Sequence, residues 1–86
     1  MNNSSTTAEV TTVLVQTLGI EDRRQSIDVS TELLGGIPEL DSLAILELAS
    51  AIEDRFDIVI DDEDFTDEVF ETVGTLSTFV ELKRAR

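Results

Sequence analysis

Ile37-Pro38-Glu39-Leu40-Asp41-Ser42-Leu43, continued by Ala44-Ile45-Leu46-Glu47-Leu48-Ala49-Ser50-Ala51-Ile52-Glu53-Asp54-Arg55-Phe56, decides how this chain folds. A proline-containing turn gives way to a run whose apolar residues Ile45, Leu48, Ala49, Ile52 and Phe56 recur at helical spacing. The pattern predicts a helix over 42–56, with Leu43 and Leu46 broadening its buried stripe. Asp41 is its N-cap, and its negative charge suits the positive end of the helix dipole. Ser42 then sits where backbone N–H groups are unpaired, a position suited to a phosphate.

Upstream, Val10, Val13, Leu14 and Leu18 line one stripe, so a first helix is expected over 7–18, capped by Thr6 or Thr7 and stopped by Gly19. Residues 1–6 are polar and read as a disordered tail, leaving 7–86 as a single domain. Between Ile20 and Leu40 the helical period is lost and isolated apolar residues remain. This is a long loop laid over the core, with a short helical turn at Arg23–Ser26 or Thr31–Leu34, and punctuated by Gly35-Gly36 and Pro38. Downstream, Asp57–Ile60 reads as an extended connector. Asp61 caps a short third helix through Asp62–Phe65, continuing toward Val69-Phe70, and Thr72 caps a last helix from Val73 to Lys83. The fold class is all-α: a four-helix bundle of three longer helices and one short one.

Composition excludes much chemistry. There is no cysteine or histidine, hence no disulfide, no thiolate and no imidazole base, and Ser42 has no lysine nearby to activate it. A serine without a base is not a nucleophilic catalyst, so the chain is expected not to be an enzyme. Leu34-Gly35-Gly36-Ile37 matches no phosphate-binding loop. An EF-hand begun at Asp62 places Asp67 where glycine is needed and Val73 where glutamate is needed, so no metal site is expected. No apolar run is long enough to span a membrane and the N-terminus lacks a signal-peptide pattern, giving a cytoplasmic expectation.

Charge is unevenly placed. The formal net charge is −13, and residues 39–71 hold thirteen acids against Arg55, a net of −12. Such a field repels nucleic acid and anionic membranes and steers basic protein surfaces toward itself. On residues alone, an acidic binding module or a calcium-binding module remains open beside a serine placed to hold a phosphate.

Asp41-Ser42-Leu43, Glu47-Leu48 and Glu53-Asp54-Arg55-Phe56-Asp57, with the long preceding loop and the Thr72-Val73 opening of the last helix, resemble the acyl carrier protein family. The resemblance covers roughly 7–83. It implies 4′-phosphopantetheine joined as a phosphodiester to Ser42, with Asp41 aiding the phosphopantetheinyl transferase and its magnesium, and Leu43 beside the attachment point. The arm brings the thiol that the sequence lacks. Glu39, Glu47, Glu53 and Asp54 are the expected contacts to basic patches on partner enzymes, namely the transferase, an AMP-forming loading ligase or acyltransferase, and acyl-processing enzymes. The chain is expected to be a monomer. The lead-in 34–40 is longer than the Leu-Gly-x-Asp-Ser-Leu of fatty-acid carriers, which points to a specialised stand-alone carrier; an aminoacyl, peptidyl or D-alanyl carrier is the alternative.

Overall fold

The computed structural model describes residues 4–85. Three α-helices, α1 (Ser4–Leu18), α2 (Ser42–Phe56) and α3 (Val73–Arg84), are joined by segments that carry 3-10 turns at Glu21–Ser26 and Asp62–Asp64. The second of these turns is the expected short helix, although it does not extend to Val69-Phe70. Helix α1 is the element against which both α2 and α3 pack.

Helix α1 begins three residues earlier than Thr7, so residues 4–6 are helical and not part of a tail; residues 1–3 lie outside the described residues. Threonine is a weak helix former, but here its hydroxyls are used within the structure. Thr11 and Thr12 donate back to the carbonyls of Thr7 and Ala8 at 2.8 and 3.0 Å. Thr6, 2 % exposed, donates to the Glu81 carboxylate on α3, which anchors the added turn. At the other end Gly19 adopts φ +69 and the Ile20 N–H returns to the Val15 carbonyl at 2.9 Å, the expected stop.

The long loop is fixed to helices at both of its flanks. Arg24 reaches back to the Thr12 hydroxyl at 2.7 Å and the Ala8 carbonyl at 3.1 Å, which holds the Glu21–Ser26 turn against α1. Farther on, the carbonyls of Thr31 and Val29 accept the N–H groups of Val73 and Gly74 at 3.0 and 2.8 Å. The loop thus satisfies donors that the first turn of α3 would otherwise leave orphaned. Thr75, the next residue, donates to the Thr72 hydroxyl in a capping box. Leu33, Ile37 and Leu40 are buried, and the Leu33 N–H donates to the Glu71 carbonyl at 2.8 Å.

The paired glycines of this loop have separate causes. Gly35 takes φ +81, a conformation that costs a side-chain-bearing residue. Gly36 is excluded from carrying a side chain by space: a Cβ there would lie 2.4 Å from the Glu32 carbonyl oxygen. Because backbone must move to admit it, Gly36→Ala is expected to destabilise the fold by about 1–3 kcal/mol. That lowers Tm by at least about 5 °C in a thermal melt. An unchanged Tm would mean that the Glu32–Gly36 turn is free to open.

Helix α2 runs over the expected residues. Its buried side is Ala44, Leu48, Ala49, Ile52 and Phe56, with Ile45 partly covered. Leu43 and Leu46 are 68 % and 55 % exposed and do not broaden the stripe. At about 100° per residue both project away from Leu48 and Ile52, and small Ala44 takes the place between α2 and its neighbours. Asp57, in a left-handed conformation at φ 56, ends the helix with its N–H on the Glu53 carbonyl. Ile60 is then buried, and Asp61 and Asp64 form a reciprocal capping box at the 62–64 turn. Lys83 of α3 secures that turn, with its ammonium 3.0 Å from Asp64 and 3.6 Å from Asp61.

Candidate functional site

The turn 37–41 delivers Ser42 by alternating buried and exposed residues. Ile37 and Leu40 enter the core, while Pro38 and Glu39 arch over them. The Leu40 N–H closes on the Ile37 carbonyl at 2.9 Å and the Asp41 N–H on the Glu39 carbonyl at 3.2 Å. Asp41 is the N-cap: its backbone is extended, and its Oδ1 accepts the Ala44 N–H at 2.8 Å. Ser42 is therefore the first residue of a 15-residue helix.

Asp41, Ser42 and Leu43 are all exposed. Among the described residues the Ser42 hydroxyl has no hydrogen-bond partner, and neither do the backbone N–H groups of Ser42 and Leu43. Two unpaired N–H groups at the positive end of a helix dipole suit a tetrahedral anion held on that hydroxyl. The sequence has no histidine or cysteine, and among the described residues no basic side chain is hydrogen-bonded to the Ser42 hydroxyl. Among the described residues no group of side chains could hold a metal ion.

The four acids expected to contact partners divide into two kinds. Glu47 and Asp54 are exposed on the same side of α2 as Ser42, Leu43, Leu46 and Ser50. This face is a pair of exposed leucines among carboxylates and hydroxyls. Glu53 is only partly exposed, and its carboxylate accepts the Ile60 N–H at 2.7 Å, fastening the connector to the helix. The Glu-Asp-x-Phe pattern did not reveal this contact. Glu39 is likewise engaged, paired with Arg23 of the Glu21–Ser26 turn. A hydrogen bond from its own backbone N–H, and then the Arg23 guanidinium, hold its carboxyl below the ordinary glutamate range.

Sequence reasoning missed Leu46 and Ser50 as neighbours of Ser42, although a helical projection starting from Ser42 places them on its face. It also missed Arg23, which lies sixteen residues before Glu39 with no local pattern to join them.

A family model described as "Phosphopantetheine attachment site" matches residues 8–80. Among solved structures, the chain is similar to a holo acyl carrier protein from Nitrosomonas europaea, determined by NMR in solution. The two are 38 % identical, the match covers 93 % of this chain and 96 % of that one, and the TM-score is 0.86.

Proposed function

The chain belongs to the phosphopantetheine-attachment family, and from that premise we propose that it carries acyl groups on an arm joined to Ser42, presenting them to enzymes that dock on the acidic face of α2. It has the acyl carrier protein fold and is a carrier, not an enzyme; the cofactor of the family is 4′-phosphopantetheine. The observation that carries the reading is the exposed, unpartnered Ser42 hydroxyl at the first position of α2, inside the matched span.

The residues divide the work. In the transfer step Ser42 Oγ forms a bond to phosphorus, and the bond from phosphorus to the nucleotide half of coenzyme A breaks. The hydroxyl proton leaves to a base of the transferase, since this chain has none within reach. Asp41 holds the first turn of α2 in place through the Ala44 N–H while presenting negative charge beside the acceptor. Leu43 and Leu46 offer apolar contact next to Ser42, and Glu47 and Asp54 offer charge. Once joined, the arm supplies the thiol on which cargo is held as a thioester.

An acidic, mostly polar face with two exposed leucines favours fast and reversible encounters over a permanent interface. That suits a protein which must visit a phosphopantetheinyl transferase, then a loading ligase or acyltransferase, then acyl-processing enzymes. Acyl cargo is supported by the likeness to an acyl carrier protein over nearly both whole chains. Weighing the thioester released from cells separates acyl from aminoacyl cargo.

Partner recognition gives a second test. Glu47→Lys reverses an exposed charge without touching the buried side of α2. It is expected to lower kcat/KM for modification by about three- to tenfold at low salt, chiefly through KM, with the gap closing at high ionic strength. The circular-dichroism signal should be unchanged. Equal rates for the two proteins at every salt concentration would remove Glu47 from the docking face.

A further inference from the structure

The Glu21–Ser26 turn and the lead-in to Ser42 lie side by side, but apolar packing does not fill the seam between them. A cleft of about 190 Å³ runs along it, lined by Ile20, Ser26, Ile27, Thr31, Ile37 and Pro38, with Arg23 among its walls. Across the seam the Arg23 guanidinium meets the Glu39 carboxylate. Glu39 is three residues from Ser42, and its backbone carbonyl receives the Asp41 N–H, so tying its side chain restrains the residue that caps α2. Arg23 is itself placed from behind: Arg24, next to it, is hydrogen-bonded to α1, and the Arg23 N–H donates to the Ile20 carbonyl at 2.8 Å. A continuous set of hydrogen bonds and one ion pair therefore runs from α1 to the cap of α2.

We propose that Arg23 is a positioning residue for modification at Ser42: by holding Glu39 across the seam it fixes the Pro38–Asp41 turn that presents the hydroxyl. This rests on the reading of Ser42 as the attachment point and goes beyond it by giving Glu39 an intramolecular task in place of partner docking. Both side chains are more than two-fifths exposed, so the pair contributes little to global stability and its effect is on local geometry.

The two roles of Glu39 predict opposite signs for one substitution. Arg23→Glu makes the chain more acidic. If Glu39 served only to attract a basic transferase, Arg23→Glu would be modified as fast as the wild type or faster. If Arg23 positions the turn, Arg23→Glu is modified more slowly. The test measures kcat and KM for transfer from coenzyme A by a broad-specificity phosphopantetheinyl transferase, using wild type, Arg23→Glu, Glu39→Arg and the double charge swap. Arg23→Glu and Glu39→Arg are each expected to lose about threefold in kcat/KM, chiefly in kcat, and the swap to return to within about twofold of wild type, at nearly constant Tm. Arg23→Glu equal to or faster than wild type, or a swap no better than Glu39→Arg, overturns the proposal. A wild-type chain that takes up no arm overturns the Ser42 reading beneath it, and that result is obtained before any variant is compared.

Discussion

Ser42→Ala is expected to fold and melt like the wild type and to gain no mass when incubated with coenzyme A and a phosphopantetheinyl transferase. Stability should be insensitive because the Ser42 hydroxyl is exposed and bonds to nothing within the described residues. Alanine is also the better helix former, by a few tenths of a kcal/mol. Asp41, which caps α2, is unchanged in the variant, so the first turn keeps its Ala44 hydrogen bond. The effect on modification is total because the bond to phosphorus needs that oxygen. Ser50 shares the exposed face but lies two turns into the helix, away from the unpaired N–H groups. Intact mass spectrometry together with a thermal melt checks both halves. Uptake of an arm by Ser42→Ala would move the attachment point elsewhere.

Phe70→Ala is expected to have the largest structural effect. The ring is 1 % exposed and stacks on Phe65 with 5.6 Å between centroids, and it lies in the core with Leu33, Leu48, Leu76 and Val80. Truncating such a ring costs about 3–5 kcal/mol through lost burial and the cavity left behind. A domain of this size has a total stability of about 4–13 kcal/mol, so much of it would be gone. A fall in Tm of at least about 12 °C is expected by differential scanning calorimetry. A loss under about 1 kcal/mol would contradict the packing of the 65–70 segment against the helices. Because the loop is bonded to the end of that segment and to the residue after it, through the Leu34 N–H on the Phe70 carbonyl and the Leu33 N–H on the Glu71 carbonyl, the variant should expose the lead-in as well.

Much of this was legible in the sequence because α2 signals itself at several levels at once. A capping aspartate, an apolar period and a charged outer face agree, and the helix spans the residues they indicate. The cap of α3 at Thr72 and the stop of α1 at Gly19 were legible for the same reason: each is a local signal acting on local backbone. The place of Ser42 at the start of α2 was legible in the same way, from the capping aspartate before it and the apolar period after it.

The remainder was not legible because it depends on contacts between distant residues. The first turn of α1 is held by Thr6 on Glu81, seventy-five residues away, which propensity cannot report. Glu53 looked like a surface acid until Ile60 folded back onto it. The long 20–40 loop carries no period because its order comes from Val73, Gly74 and Glu71, whose backbone groups it meets. Gly36 is similar: its need for a bare Cα arises from the Glu32 carbonyl and not from its own dihedral angles. Leu43 and Leu46 were assigned to the core by their chemistry, yet their angle on the helix puts them outside beside Ser42. That exposure supports a docking face, since large apolar side chains kept in water next to a functional residue commonly mark where a partner sits.

On the proposed function, Ser42 is an acceptor completed by another enzyme. The most direct measurement incubates the wild-type chain with coenzyme A and a broad-specificity phosphopantetheinyl transferase, then weighs the intact protein and locates the modification by fragmentation. One phosphopantetheine per chain, on the peptide containing Ser42, is the result predicted. A chain that stays unmodified with several such transferases, or that carries the arm on any other hydroxyl, would contradict it.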